Sequence, residues 1–127
     1  MAQRILIIED EEDVVELLRI NLVRRGFDVS VAMTGEEGLR KAAMERPVVI
    51  LLNVRLPGMN GWEVCRRLRE NPATNKAYVI FVTAAAQQTD YSTAQDCGAD
   101  AFMTKPFDIH ELLLFINEAF RVEAEKV

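Results

Sequence analysis

Five short apolar runs, at residues 5–8, 29–31, 48–52, 78–82 and 101–103, divide the chain, and each is followed by a segment of helical length with apolar residues on one stripe. Strands separated by whole helices cannot pair as tight hairpins, so the alternation specifies five βα units and a parallel sheet. The runs 5–8, 48–52 and 78–82 are continuously apolar, as expected of strands covered by helices on both faces. Asp28-Val29-Ser30-Val31 instead alternates, and reads as an edge strand. With 127 residues, half of them apolar and 28% charged, the expectation is one globular domain over 1–127. Residues from about 122 onward read as a natural end or a linker stub.

Local signals set the expected helix limits. The first helix should begin near residues 11–13, where carboxylates favour the positive end of the helix dipole, and bury Val14, Val15, Leu18 and Leu22 before Gly26 ends it. Thr34 or Gly35 would cap the second helix, and Pro47 marks its exit. Leu56-Pro57-Gly58 suits a type II turn, and Asn60-Gly61 is a second turn signal before a helix over 62–70, closed by Asn71-Pro72. The fourth helix, around 88–97, has only Tyr91, Ala94 and Cys97 as apolar contributors, so it is expected to be the most mobile. The last, over about 108–122, puts Ile109, Leu112, Leu113, Ile116 and Phe120 on one stripe. Leu114 falls nearly opposite and Phe115 at the margin; two readings stand, an ordinary surface and a partner-binding face.

Composition excludes several classes. A net charge of -5 argues against direct nucleic-acid binding, which draws on a basic surface. Arg66, Arg67 and Arg69 cluster but alternate with apolar residues, as on a solvated helix face. The apolar stretch 5–8 is too short for a signal peptide or a membrane span, and a cytoplasmic location follows by default. Cys65 and Cys97 lack metal-ligand spacing and read as small, semi-buried reduced thiols.

In a parallel α/β sheet, side chains at the carboxyl ends of the strands converge on a crevice where the strand order reverses. Glu9 and Asp10 follow the first run, Asn53 the third, Thr83 closes the fourth and Lys105 follows the fifth. Paired carboxylates hold a hard cation such as Mg2+ through oxygen. The cation, the Lys105 ammonium, the Thr83 hydroxyl and nearby backbone N–H groups could together offset charge on a phosphoryl group. Singly, a strand-end threonine or a lysine is ordinary; the coincidence of all of them points to phosphoryl transfer onto a side chain at position 53.

The motifs Ile7-Ile8-Glu9-Asp10-Glu11-Glu12, Leu51-Leu52-Asn53-Val54-Arg55-Leu56-Pro57-Gly58-Met59-Asn60-Gly61, Val82-Thr83-Ala84 and Gly98-Ala99-Asp100-Ala101-Phe102-Met103-Thr104-Lys105-Pro106-Phe107 make the chain resemble, end to end, the receiver domain of bacterial two-component response regulators. The resemblance implies a flavodoxin-like (βα)5 doubly wound parallel sheet of order 2-1-3-4-5. It implies Mg2+ held by Glu9, Asp10, the residue at 53 and the Arg55 carbonyl, and phosphate contacts from Thr83, Ala84 and Lys105. A switch coupling Thr83 to Phe102, a cis bond before Pro106, and a sensor histidine kinase or phosphotransfer protein as partner are implied too. Phe102 has no phenol hydroxyl, so a simple core aromatic is the competing reading.

The chain departs from that family at the acceptor. An asparagine amide is neutral and a poor nucleophile, so phosphorylation at position 53 is disabled as written and Mg2+ binding weakened. Lys105, losing its nearest fixed anion, is expected to turn to Asp10. Two explanations fit: an acceptor aspartate changed to freeze the unphosphorylated state, or a pseudo-receiver acting as a phosphate-independent interaction module. The partner face on the fourth helix, fifth strand and fifth helix, with Leu114 and Phe115, lacks the charges through which winged-helix regulators pair. An aspartate-nucleophile phosphatase would need Asp-x-Asp where Asn53-Val54-Arg55 stands. A flavin module would want a Ser/Thr/Gly-rich phosphate loop in place of the acids at 9–13.

Overall fold

The structure, a computed structural model, describes residues 3–84 and 88–125, with the side chains of 88–91 outside that description. Strand and helix alternate throughout: β1 (Arg4–Ile8), α1 (Glu12–Arg24), β2 (Asp28–Ala32), α2 (Gly35–Glu45), β3 (Val49–Leu52), α3 (Gly61–Glu70), β4 (Tyr78–Thr83), α4 (Gln88–Asp96), β5 (Ala101–Thr104) and α5 (Ile109–Glu125). All strand pairs are parallel, in the order β2-β1-β3-β4-β5. This is the doubly wound α/β sheet that the apolar runs and the resemblance lead one to expect.

Because side chains alternate across a strand, each continuously apolar run feeds two cores. Leu6, Ile8, Ile50, Leu52, Val79 and Phe81 face one side, where Ala42 of α2, Val64, Cys65 and Leu68 of α3, and Ala94 of α4 cover them. Ile5, Ile7, Val49, Leu51, Ile80 and Val82 face the other, under Leu18 and Leu22 of α1 and Leu112, Ile116 and Ala119 of α5. Helices from β1 and β3 therefore leave to opposite faces, and the crevice between those two strands is the point where the winding reverses.

Caps and turns follow the local chemistry. Gly26, at φ 88°, ends α1 as its N–H reaches the Val23 carbonyl and that of Phe27 the Leu22 carbonyl, the paired bonds of a Schellman motif. Thr34 caps α2 by accepting from the Glu37 N–H at 3.2 Å, and Asn60 caps α3 by accepting from the Glu63 N–H at 3.0 Å. Gly58 takes φ 79°, as the third position of a type II turn demands. At the β2 edge, Arg4 and Asp28 form an ion pair at 2.8 Å, and Lys41 of α2 donates to the Val31 carbonyl at 2.5 Å.

Some expectations need correction. Helix α5 runs to Glu125, past the expected end near 122, with Arg121 bridging Glu118 and Glu125 across successive turns. Val14 is half-buried, packed against the core at its margin and not fully inside it. Arg66 and Arg67 pair with Glu63 on the solvated face, as expected, but Arg69 turns inward. Its guanidinium donates to the Gly98 carbonyl at 2.8 Å, the Ala77 carbonyl at 2.6 Å and Asp100 at 2.8 Å, tying α3 to the segments entering β4 and β5. Tyr91, one of the residues expected to anchor α4, has its side chain outside the described residues; Ala94 is buried and Cys97 half-buried. Among the described residues no helix is long and apolar enough to cross a membrane.

Candidate functional site

Three backbone hydrogen bonds extend the sheet ladder just past its strands and set the site. The Glu9 N–H donates to the Ala32 carbonyl at 3.0 Å, that of Asn53 to the Ile8 carbonyl at 3.0 Å, and that of Lys105 to the Thr83 carbonyl at 2.7 Å. Glu9, Asn53 and Lys105 are thereby held at the carboxyl edge of β1, β3 and β5, beside the reversal of winding.

Glu9 is the hub of the cluster. Its side chain is only 3% exposed, so its charge has to be matched by donors. Oε2 accepts from the Asp10 N–H at 3.0 Å, the Glu11 N–H at 3.2 Å and Asn53 Nδ2 at 2.9 Å, while Oε1 accepts from Lys105 Nζ at 2.6 Å. Asn53, itself 4% exposed, also donates from Nδ2 to the Arg55 carbonyl at 3.0 Å. Both neighbours of that nitrogen can only accept, which assigns the amide orientation. An ammonium and an amide thus lie where the carboxylate needs positive charge.

The expectation that Lys105 turns to Asp10 is corrected: it pairs with Glu9, and at 3.4 Å with Glu11. Successive residues leaving a strand point to opposite sides, and Asp10 is exposed while Glu9 faces the crevice. Thr83 is buried at the end of β4, with exposed Ala84 following it. The bond from Lys105 to Pro106 is cis. Phe102 pairs in register with Phe81 across β4 and β5, and its ring lies 6.3 Å from that of Phe81 and 6.5 Å from that of Trp62. Half-buried Phe102 thus packs against the core in a geometry suited to edge and offset contacts.

Two participants escaped sequence reasoning. Glu11 could not be told from its acidic neighbours until Lys105 was seen to reach it. Gly61 was read only as a turn signal, yet a Cβ there would sit 2.2 Å from the Asn53 carbonyl oxygen and 2.9 Å from the Val54 Cα. The α3 N-terminus therefore abuts the backbone that carries Asn53, held by a 2.7 Å bond from the Gly61 N–H to the Val54 carbonyl. Gly61→Ala is expected to destabilise the chain by about 1–3 kcal/mol, the usual cost of overpacking. A urea midpoint equal to that of the unchanged chain would show that this backbone can yield.

Glu9 Oε2 and the Arg55 carbonyl converge on one point, and both are hard oxygen donors of the kind Mg2+ prefers. That point is taken by Asn53 Nδ2. Among the described residues no cluster of three or more His, Cys, Asp or Glu forms a metal cage, so a cation here would rest on Glu9, Asp10, the Arg55 carbonyl, the amide oxygen of a rotated Asn53, and water. The residues fit Mg2+, which keeps several waters and accepts one or two carboxylates.

The comparisons agree with this architecture. The chain is 42% identical over 112 residues to the alkaline phosphatase synthesis transcriptional regulatory protein PhoP of Bacillus subtilis, a match covering 88% of this chain and 46% of that protein. It thus spans about half the length of that relative. A CheY-like response regulator receiver domain protein from Methanospirillum hungatei superposes with a TM-score of 0.93 at 28% identity, covering 100% of both chains. The receiver domain of the sensor histidine kinase PA1611 from Pseudomonas aeruginosa, solved with a magnesium ion coordinated in its active-site cleft, matches at 27% identity and a TM-score of 0.85, covering 93% of this chain and 97% of that one. The model of the response regulator receiver domain matches residues 5–117. Strand-end cluster, sheet order and relatives converge, and the chain belongs to the response regulator receiver domain family.

Proposed function

We propose that this receiver domain stands in a two-component phosphorelay with Asn53 at the phosphoacceptor position, held in the unphosphorylated state because the amide cannot take up a phosphate. The observation carrying the reading is the position of the Asn53 side chain, within hydrogen-bond reach of Glu9, which Lys105 also contacts. An aspartate there would attack the phosphorus of a phosphohistidine on a sensor histidine kinase or phosphotransfer protein, forming an acyl phosphate. The asparagine nitrogen pair is delocalised into its carbonyl and does not do so. Mg2+, when bound, would neutralise charge on the phosphoryl oxygens. Lys105, the Thr83 hydroxyl and the Ala84 N–H would hold those oxygens.

The chain acts as a signalling module and not as an enzyme with turnover. Its site keeps Glu9, Asp10, Thr83 and Lys105, while Asn53 weakens Mg2+ binding. A cytoplasmic location fits this role, and the output belongs to partners or to further segments such as those that make the relatives longer. Leu114, 69% exposed on α5, and half-buried Phe115 would form part of the partner face with α4 and β5.

A second reading, a pseudo-receiver that works without phosphate, draws support from the Asn53 amide satisfying Glu9 and the Arg55 carbonyl together. Such a site needs no cation to be closed. The deciding experiment offers acetyl phosphate and Mg2+ to the chain and to Asn53→Asp. The unchanged chain should stay unmodified and the variant should gain one phosphate; a variant that takes up none overturns the receiver chemistry.

A further inference from the structure

Cys65 and Cys97 lie 32 residues apart in sequence and on different elements, yet they meet. Cys65 of α3 is fully buried, and its thiol donates to the Cys97 carbonyl at 3.2 Å. Cys97, just past the end of α4, is half-buried and donates to the Ala94 carbonyl at 3.4 Å. It also lines a cavity of about 350 Å³ between α3 and α4, together with Asn60, Trp62, Arg66 and Thr93, so a small reagent can reach it from solvent. The site chemistry uses neither sulfur.

We propose that Cys65 and Cys97 form a reversible dithiol–disulfide pair that ties the end of α4 to α3 when a small-molecule disulfide such as oxidised glutathione is in excess. The two positions differ in the manner of an attacking and a resolving thiol. Cys97, half-buried and lining the cavity, is the thiol a reagent reaches, and Cys65, fully buried behind it, is the one placed to resolve. Cys97 thiolate attacks one sulfur of glutathione disulfide, forming a mixed disulfide and releasing one glutathione thiolate. Cys65 sulfur then attacks the Cys97 sulfur, its proton passing to the second departing glutathione. Two thiols and one glutathione disulfide become one protein disulfide and two glutathione thiols. The bridge requires the Cys97 side chain to swing from the Ala94 carbonyl toward Cys65, with the Cα atoms within ~7 Å of each other.

The consequence concerns α4, which gives Ala94 to the core. A bond from Cys97 to Cys65 would fasten the C-terminal end of α4, where the chain turns toward β5, to α3, and α3 begins at the glycine packed on the Asn53 backbone.

The test treats the whole folded chain with glutathione disulfide, quenches with acid, and reads intact mass and free thiols. The unchanged chain should lose two hydrogens in mass and both titratable thiols, with dithiothreitol restoring them. Amide exchange in α4 should slow by about tenfold in the bridged form. Cys97→Ser, a change at an accessible position that leaves the core intact, should keep one unreactive thiol. Cys65→Ser should accumulate a glutathione adduct at Cys97. A stable adduct on the unchanged chain, or two thiols still free at glutathione disulfide excess, overturns the proposal. So does a bridge that forms as readily in denaturant as in the folded chain.

Discussion

Mg2+ titrated into the chain is expected to bind roughly thirty to several hundred times more weakly than into Asn53→Asp. In the unchanged chain a cation must displace Asn53 Nδ2 from two oxygens, at 2.9 and 3.0 Å. A hydrogen bond to a charged acceptor contributes about 1.5–3 kcal/mol and a neutral one about 0.5–1.5. Together they set a loss of about 2–4 kcal/mol, at ~1.4 kcal/mol per tenfold. The variant acts in the same direction from the other side, because a second carboxylate beside buried Glu9 is repelled until a cation joins them. Calorimetry, or the fluorescence of Trp62 next to Gly61, would follow the titration. Asn53→Ala separates the two causes. If the amide's occupation of the site matters, the alanine chain binds Mg2+ more tightly than the asparagine chain despite having no ligand at 53. Equal or weaker binding would leave the lost charge as the whole explanation.

Lys105→Met is expected to destabilise the folded chain by about 2–4 kcal/mol. Breaking one side of a buried ion pair commonly costs ~3–5 kcal/mol, since the remaining charge stays out of water. Here the lysine side chain is 11% exposed and its partner carboxylate less so, which removes most solvent screening. Three N–H donors remain on Glu9, and they lower the expected effect by about 1 kcal/mol from that range. Glu11→Gln is the control: Glu11 is well exposed and 3.4 Å from the ammonium, so its loss should move the urea midpoint very little. A Lys105→Met chain as stable as the unchanged one would mean that the backbone and Asn53 alone hold Glu9.

Much of the fold could be read from the sequence because its signals are local. The continuous apolar runs named the central strands, alternation named the β2 edge, Gly26 named the end of the first helix, Thr34 or Gly35 the start of the second, and Pro57-Gly58 and Asn60-Gly61 the turns before the third, whose cap at Asn60 was not foreseen. The strand-end residues of the site were legible for a topological reason, since a parallel sheet delivers every such residue to one edge. Partners across the sheet were not. Lys105 and Glu9 are 96 positions apart, and which of two adjacent acids a lysine chooses depends on which way each leaves the strand. The inward turn of Arg69, the approach of Gly61 to Asn53 and the meeting of Cys65 with Cys97 are likewise settled only when helices lie against each other. Helix α5 overran its expected end because ion pairs on its exposed face continue past the apolar stripe that sequence reading follows.

The lysine at the β2 margin has a consequence for how copies of the chain meet. In a parallel strand, carbonyls alternate between the neighbour and the open side, and an outermost strand offers the latter as a template for another chain. Val31 presents such a carbonyl, and Lys41 covers it, while Asp28 and Arg4 place charge near the start of the same margin. A strand arriving there would have to displace an ammonium before making its first hydrogen bond. Sheet-to-sheet growth into fibrils is therefore opposed along β2, and the sheet is kept a finite object on that side.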